Sequence, residues 1–180
     1  GYDQVVLGEG ENAIIDIIRG NREKIIKDSQ CNYFPTINDI PFPDYSGLEH
    51  PDPRIPIISS RGCPFSCSFC DAPFFWKGKY KLRSADNVLS EIEKRKSEGW
   101  EKWSFHDDNF LVNKNRLEEI CKGLDGKYTW DCQCRAESLT QDVCKLIYKA
   151  GCRLVHLGIE SFSQGSLDRC GKKTTVEKML

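Results

Sequence analysis

Two kinds of apolar pattern alternate along the chain after position 54. Short apolar or alternating stretches, which are typical of strands, cover 55–60, 100–106, 128–136 and 153–159. The stretches between them have apolar residues at helical spacing: Ala85, Val88, Leu89 and Ile92; Leu117, Ile120, Cys121 and Leu124; Val143, Leu146, Ile147 and Ala150. Strands that alternate with amphipathic helices predict a parallel α/β sheet with right-handed crossovers, in a doubly wound fold or an α/β barrel.

The predicted strands are polar on one side only. On 128–136, Asp131, Gln133 and Arg135 alternate with apolar residues. A central strand of a doubly wound sheet is apolar on both sides, so this pattern favours a barrel with a polar interior and an outer layer of helices. The residues expected under the helices are Trp103, Phe105, Trp130 and Val155. The alternative is a set of strands that are half exposed at a sheet edge.

Local signals set the ends of the predicted helices. Ser84 is placed to cap the first helix, and Gly99 and Gly151 follow the first and third helices. A capping box at 174–177 begins a further helix that the chain leaves at Leu180.

The residues before position 55 have a different composition. A strand is predicted at 4–7, followed by a helix whose apolar residues are Ile14, Ile15, Ile17 and Ile18. Six of the eight prolines fall in 33–56, together with Asn, Asp and Gly, a composition that opposes both helix and strand. We therefore divide the chain into a first domain segment at 1–30, a linker at 31–54 and a second domain at 55–180.

The charge and hydropathy of the chain exclude several classes of partner. The 26 basic residues nearly balance the 27 acidic ones, which gives no electrostatic reason to expect nucleic acid or an anionic membrane surface as a partner. No apolar run approaches the roughly 20 residues of a membrane helix. The first residues also lack the pattern of a signal peptide, so a cytoplasmic location is expected.

Three of the ten cysteines lie within eight residues, in the sequence Cys63-Pro64-Phe65-Ser66-Cys67-Ser68-Phe69-Cys70. Without a secretory signal, such a group indicates metal binding rather than disulfides. Three thiolates on one loop suit a [4Fe-4S] cube and leave one of its irons without a protein ligand. The amino and carboxylate groups of an amino acid can chelate that iron, which favours a site for S-adenosylmethionine.

This cysteine loop resembles that of the radical S-adenosylmethionine (radical SAM) superfamily, whose signature has the same spacing and an aromatic residue, here Phe69, before the last cysteine. Further segments are similar to the branch with an N-terminal cobalamin-binding domain, namely 8–11, 60–65, 107–110, 135–137 and 158–161. The resemblance implies an α/β fold in which 55–180 form a partial parallel (β/α) barrel, with four of six strand–helix units. Residues 1–30 would then be the tail of an α/β cobalamin-binding domain.

The resemblance also implies the functional residues. Cys63, Cys67 and Cys70 would bind the cluster. The positions implied for S-adenosylmethionine are Phe69, Asp107, Asp108, Arg135, Glu137, Glu160 and Ser161. No residue is assigned as a catalyst.

The individual assignments follow from where these residues stand. Asp107 and Asp108 follow the second strand, where the family contacts the methionine amino group; the alternative is an ordinary turn, which Asp also favours. Arg135 could pair with the carboxylate of the cofactor; the alternative is an internal pair with Glu137. At most one of Glu160 and Ser161 is expected near the ribose, because the two point to opposite sides of the chain.

The implied activity is reductive cleavage of S-adenosylmethionine to a 5′-deoxyadenosyl radical, with an external electron donor such as flavodoxin or ferredoxin and a small-molecule substrate. Cobalamin is a further candidate cofactor, for methyl transfer or ring formation, and most of its domain would lie outside this sequence. The alternative function is an iron–sulfur or zinc-binding module without catalysis. Zinc ligands would be the loop cysteines together with Cys132 and Cys134, although only Cys67 and Cys70 have zinc-ribbon spacing.

Overall fold

The computed structural model describes residues 1–28, 32–47 and 54–180. It consists of two compact units, Gly1–Pro43 and Asp44–Leu180, and the division falls within the stretch predicted as a linker. Cys31 and linker positions 48–53 lie outside the described residues. Within the described ranges, no helix has the length and apolar character needed to cross a membrane.

The first unit is a small β-α-β arrangement. Strands β1 (Val5–Leu7) and β2 (Ile25–Lys27) pair in parallel, and helix α1 (Glu11–Ile18) connects them. Oδ1 of Asp28 accepts hydrogen bonds from the backbone N–H groups of Gly10 and Ala13, at 3.1 and 2.9 Å. These bonds satisfy donors that the first turn of a helix leaves without partners. The strand and helix predicted here are therefore present, and β2 is an addition.

The described residues of the second unit, 44–47 and 54–180, form fourteen regular elements. In chain order they are β3 (Arg54–Ile57), β4 (Ser60–Arg61), α2 (Ala72–Phe75), β5 (Lys81–Leu82), α3 (Ala85–Ser97), β6 (Lys102–Phe105), a 3₁₀ turn (Phe110–Val112), α4 (Lys114–Leu124), β7 (Thr129–Arg135), a 3₁₀ turn (Ala136–Ser138), α5 (Gln141–Lys149), β8 (Cys152–Gly158), α6 (Gln164–Arg169) and α7 (Val176–Met179).

The main sheet has four parallel strands in the order β3-β6-β7-β8. The order of the strands in the sheet is therefore their order along the chain. Each neighbouring pair is connected by one of the long helices α3, α4 and α5. A doubly wound sheet would reverse its strand order at one point, and this sheet does not. The predicted parallel α/β arrangement of four strand–helix units is confirmed, as part of a barrel.

The apolar side of this sheet lies under the helices, as the alternation predicts. Trp103 and Trp130 are almost completely buried, and the Phe105 ring meets that of Trp130 edge to face, with centres 5.4 Å apart. The indole N–H of Trp130 donates to the carbonyl of Ala150 at 2.9 Å, so this buried side chain has its polar atom satisfied. Val155 packs against the same core. These residues belong to one hydrophobic cluster that fixes the sheet against α3, α4 and α5.

Several predicted element ends differ from those observed. The first strand was expected over 55–60 but ends at Ile57. Ser59 lies outside the sheet because its N–H and hydroxyl donate to the Asp107 carboxylate. Ser84 caps α3 as expected, by accepting from the N–H of Asn87. At the end of the chain Thr175, and not Thr174, caps α7. The hairpin of β4 with β5 and the short helices α2 and α6 were not predicted.

Candidate active site

A cavity of about 410 Å³ lies at the carboxyl ends of β7 and β8. It is bordered by side chains from the cysteine loop, from the segment after β6 and from the segment after β8. The lining residues are Cys63, Phe65, Cys67, Phe69, Cys70, Ala72, Asp108, Asn109, Gln133, Cys134, Arg135, His156, Leu157, Gly158, Glu160 and Lys172. The three loop cysteines therefore face the same space as the polar residues at the strand ends.

The polar side of the sheet borders a second space, of about 310 Å³. Ser104, Asp131, Gln133 and His156 line it, and Gln133 and His156 border both cavities. Asp131 pairs with Arg54 at 3.1 Å and accepts from the Ser104 hydroxyl at 2.5 Å. The expectation that the polar sides of the strands would line a cavity is confirmed.

A buried hydrogen-bond network holds the start of the cysteine loop. Asp107 is fully buried and accepts three bonds: from the N–H of Ser59 at 2.6 Å, from the hydroxyl of Ser59 at 2.5 Å and from that of Ser60 at 2.6 Å. Arg116 donates to the carbonyl of Ser59 at 2.6 Å. Burial raises the pKa of Asp107, against the bonds from the two serines and the nearby Arg116. The end of β6 is thus joined to the segment that leads from β3 into the loop.

This network includes one predicted site residue. Asp107 was expected to contact S-adenosylmethionine, but its carboxylate is directed into the network and does not border the cavity. The next residue, Asp108, does border it. Two adjacent acidic residues therefore have different surroundings: Asp107 lies in the network and Asp108 borders the cavity.

Gly62 sets the backbone immediately before Cys63. Its φ is 84°, in the left-handed region, and a Cβ atom there would clash with the carbonyl oxygen of Lys79. At the other end of the loop, the N–H of Ser68 donates to the carbonyl of Cys170 at 2.9 Å. The loop is therefore fixed from two directions.

We expect Gly62→Ala to lower the free energy of unfolding by roughly 2–4 kcal/mol, because it combines backbone strain with overpacking. Urea denaturation of the metal-free protein measures the change. The matched control is Gly78→Ala, since Gly78 also has a positive φ of 67° but nothing lies within 4 Å of its added Cβ. Equal losses in the two variants would show that the close approach to Lys79 is unimportant.

The three loop thiols differ in exposure. Cys67 is buried, Cys63 is half-buried and Cys70 is exposed. Burial raises the pKa of the Cys63 thiol. Among residues 1–28, 32–47 and 54–180, no three His, Cys, Asp or Glu side chains converge on a position for a single ion. A cube places each thiolate on a different iron, so three separated thiols around one cavity fit a cluster.

The zinc alternative named Cys132 and Cys134 as candidate further ligands beside the loop cysteines. Cys132 is fully buried on the helix side of the sheet, where it hydrogen-bonds to the thiol of Cys152. Only Cys134 borders the cavity. The described part of the chain therefore offers no zinc ligand set that combines these two cysteines with the loop.

Arg135 and Glu137 form the internal pair that was the alternative to cofactor binding. Nε of Arg135 donates to the Glu137 carboxylate at 2.5 Å, Nη1 lies 3.4 Å from Sγ of Cys67, and Nη2 donates to the carbonyl of Lys172. Arg135 borders the cavity, whereas Glu137 does not. The Glu137 carboxylate, predicted to bind the cofactor, is directed at Arg135 in this structure.

The remaining predicted positions divide in the same way. Phe69 and Glu160 border the cavity. Ser161 does not; its hydroxyl accepts from the N–H of Ser163 at 3.1 Å and so belongs to the turn before α6. Of the expected pair, Glu160 is the residue at the site, which agrees with the expectation that the two point to opposite sides.

Several further residues line the cavity beyond those assigned to the site, among them Asn109, Gln133 and Lys172. Asn109 is 1% exposed, and its side-chain oxygen and nitrogen have no hydrogen-bond partner among the described residues. Gln133 donates to the carbonyl of Asp107 at 2.8 Å. Lys172 is 3% exposed, with its ammonium 3.5 Å from the Glu160 carboxylate. The strand pattern marks the positions of Asn109 and Gln133, but Lys172 lies after the last strand, where no pattern in the sequence marks it.

The family model of the radical SAM superfamily matches residues 57–180, which include the cysteine loop and every element of the main sheet after β3. The chain belongs to the radical SAM superfamily. The resemblance inferred from the cysteine spacing is thereby confirmed, and the family brings with it a [4Fe-4S] cluster and S-adenosylmethionine as cofactors.

Relatives and solved structures agree with this assignment. The chain is 28% identical to an uncharacterized methyltransferase of Pyrococcus horikoshii over 99% of this chain and 44% of the relative. It is also 28% identical to the anaerobic magnesium-protoporphyrin IX monomethyl ester cyclase of Cereibacter sphaeroides, over 97% of this chain and 34% of the relative. The chain thus spans less than half the length of these radical SAM relatives.

A solved structure shows the same fold. The cobalamin-dependent S-adenosylmethionine radical enzyme OxsB, with aqua-cobalamin and S-adenosylmethionine bound, superposes with a TM-score of 0.71 at 21% identity, over 96% of this chain and 30% of OxsB. The radical SAM core of this chain therefore has the architecture of that enzyme.

Proposed function

We propose that the protein carrying this sequence is a radical SAM enzyme in which Cys63, Cys67 and Cys70 bind the [4Fe-4S] cluster. The observation that supports the proposal best is that all three thiols border one cavity, together with polar groups from three strand ends. When bound, the cluster would supply the electron for reductive cleavage of S-adenosylmethionine to methionine and a 5′-deoxyadenosyl radical, the species that would take a hydrogen atom from substrate.

The side chains around the cavity suit the polar groups of S-adenosylmethionine. Lys172 offers a buried ammonium for the methionine carboxylate, while Asp108 and Glu160 offer acceptors for its amino group and for the ribose hydroxyls. Asn109 can donate and accept, and its buried side chain has no other partner in the described part of the chain. Desolvation strengthens each of these contacts, so we assign orientation of the cofactor to this set.

The aromatic and apolar residues of the cavity are assigned to the exclusion of water. Phe65, Phe69 and Leu157 border the space next to the cysteines. They would limit the access of water and of competing hydrogen donors to a radical, which reacts with the first suitable bond that it meets. We assign no proton transfer to His156, which is exposed at the rim of the site.

The reaction class follows from the relatives. One is named a methyltransferase and another a cyclase, and OxsB binds cobalamin. We propose methyl transfer or ring formation on a small-molecule substrate, with cobalamin as a further cofactor. The electron donor would be a small redox protein such as flavodoxin or ferredoxin, in a cytoplasmic setting that keeps the cluster reduced.

The test is an anaerobic assay of the reconstituted protein with S-adenosylmethionine and a chemical reductant. We expect 5′-deoxyadenosine to form in a reductant-dependent manner and to be absent when Cys67→Ala replaces the wild type. Liquid chromatography with mass detection measures it. A cluster that is reduced and reoxidised reversibly, with no cleavage of S-adenosylmethionine under any of these conditions, would instead support an electron-transfer module.

A further inference from the structure

The guanidinium of Arg135 packs directly against the cysteine loop. Arg135 is 6% exposed, its Cζ lies 4.0 Å above the centre of the Phe65 ring, and Nη1 lies 3.4 Å from Sγ of Cys67. Bonds to the Glu137 carboxylate and the Lys172 carbonyl fix its orientation. A positive charge is therefore held in one geometry beside the most buried of the three loop thiols.

We propose that Arg135 raises the reduction potential of the cluster through this contact with Cys67. The inference rests on the proposed function, since it requires Cys67 to be a cluster ligand. Reduction transfers one electron from the reductant to the cluster and adds one negative charge to the cluster and its thiolates. A cation at the sulfur stabilises this reduced form more than the oxidised form, and hydrogen bonds to ligand sulfurs are among the main factors that set cluster potentials.

The position of the charge distinguishes this function from cofactor binding. A residue that only paired with the carboxylate of S-adenosylmethionine would not need to contact a ligand thiol. A guanidinium also keeps its charge at every working pH, so its effect on the cluster is permanent and involves no proton transfer. Low exposure of both Arg135 and Cys67 reduces solvent screening of the interaction.

Glu137 provides the opposing charge. Its Oε1 accepts from Arg135, and its Oε2 is buried without a hydrogen-bond partner among the described residues. Removal of this carboxylate leaves the positive charge of Arg135 less compensated. Arg135→Gln and Glu137→Gln are therefore expected to shift the reduction potential in opposite directions. If the variants only loosened the loop, both would shift the potential in the same direction.

The experiment is a potentiometric titration of the reconstituted protein without S-adenosylmethionine, followed by electron paramagnetic resonance of the reduced cluster. For Arg135→Gln we expect the equilibrium constant for one-electron reduction to fall about tenfold, equivalent to about 59 mV. For Glu137→Gln we expect a rise. Arg95→Gln is the matched control, because Arg95 is fully buried in α3, away from the loop, and its loss should leave the potential unchanged.

Iron content is measured on every sample, which separates the two hypotheses. A wild-type protein that holds no cluster would overturn the proposed function. A wild-type cluster with unchanged potentials in both variants, or with a fall in both, would overturn the function of Arg135 alone. If Arg135→Gln does not retain its iron, Glu137→Gln decides the question, since an unchanged or lower potential there contradicts the electrostatic effect.

Discussion

Replacement of any one of Cys63, Cys67 and Cys70 by alanine is expected to abolish the iron–sulfur cluster. A cube bound by three thiolates has no fourth cysteine on the loop to replace a lost ligand, and Cys132 lies on the opposite side of the sheet. We expect about four irons and four sulfides per chain in the anaerobically reconstituted wild type and close to none in these variants. Iron and sulfide assays with the visible absorption spectrum measure the difference.

The controls are Cys121→Ala and Cys144→Ala. Cys121 is buried in the hydrophobic core and Cys144 is exposed on α5. Both should keep the full cluster, and Cys121→Ala should lose only packing energy, on the order of 1 kcal/mol. Stoichiometric zinc in tetrahedral coordination after repletion with both metals, or a full cluster in Cys67→Ala, would contradict the ligand assignment.

The second large effect is expected for Asp107→Ala. This change leaves the N–H of Ser59 and two buried hydroxyls without their acceptor, and each unpaired buried group costs about 1–3 kcal/mol. We therefore expect a loss of about 3 kcal/mol or more in the free energy of unfolding, measured by urea denaturation of the metal-free protein. Reconstitution should also fail or be incomplete, because the loop loses its attachment to β6.

Two variants separate this effect from a general loss of charge. Asp107→Asn keeps an acceptor for Ser59 and should lose less stability than Asp107→Ala. Asp108→Ala changes an exposed neighbour and should stay within about 0.5 kcal/mol of the wild type. If Asp107→Ala and Asp108→Ala lost the same stability, the network would not hold the loop.

The contribution of Asp107 to the free energy of unfolding is expected to change with pH in one direction. Burial raises the pKa of Asp107 above its ordinary value of 3.8, so the folded protein keeps this proton at pH values where the unfolded chain has lost it. The contribution of this group to stability is therefore greatest at acid pH and falls as the pH rises from about 3.8 through the raised value. Asp107→Asn should remove this decrease.

The fold was predictable where the pattern was regular. The alternation on 128–136 correctly placed Trp130 under the helices and Gln133 on the cavity side, since a register error of one residue would have reversed both. The prediction of strand ends was poorer where hydrogen bonds to residues distant in sequence replace those of the sheet. The strand predicted at 55–60 ends early because the N–H of Ser59 donates to Asp107, which is distant in sequence, and not to a neighbouring strand.

The site was predictable to a similar degree. The cysteine spacing is local, so the ligand loop and its family could be found directly. Position at a strand end indicated Asp108 and Arg135, which border the cavity, but could not show that Asp107 and Glu137 form hydrogen bonds within the protein. Lys172 could not be found at all, since its place depends on the path of the chain after β8.

The bond between Ser59 and Asp107 also limits how the protein can change. These residues are 48 positions apart and belong to different strand–helix units, yet each is the other's buried partner. Their substitution energies should not add, because both substitutions remove the same bond between the Ser59 hydroxyl and the Asp107 carboxylate. The first two units therefore do not behave as exchangeable modules: a recombinant that takes one unit from a distant homologue must take the other as well, or restore the pair by a compensating change.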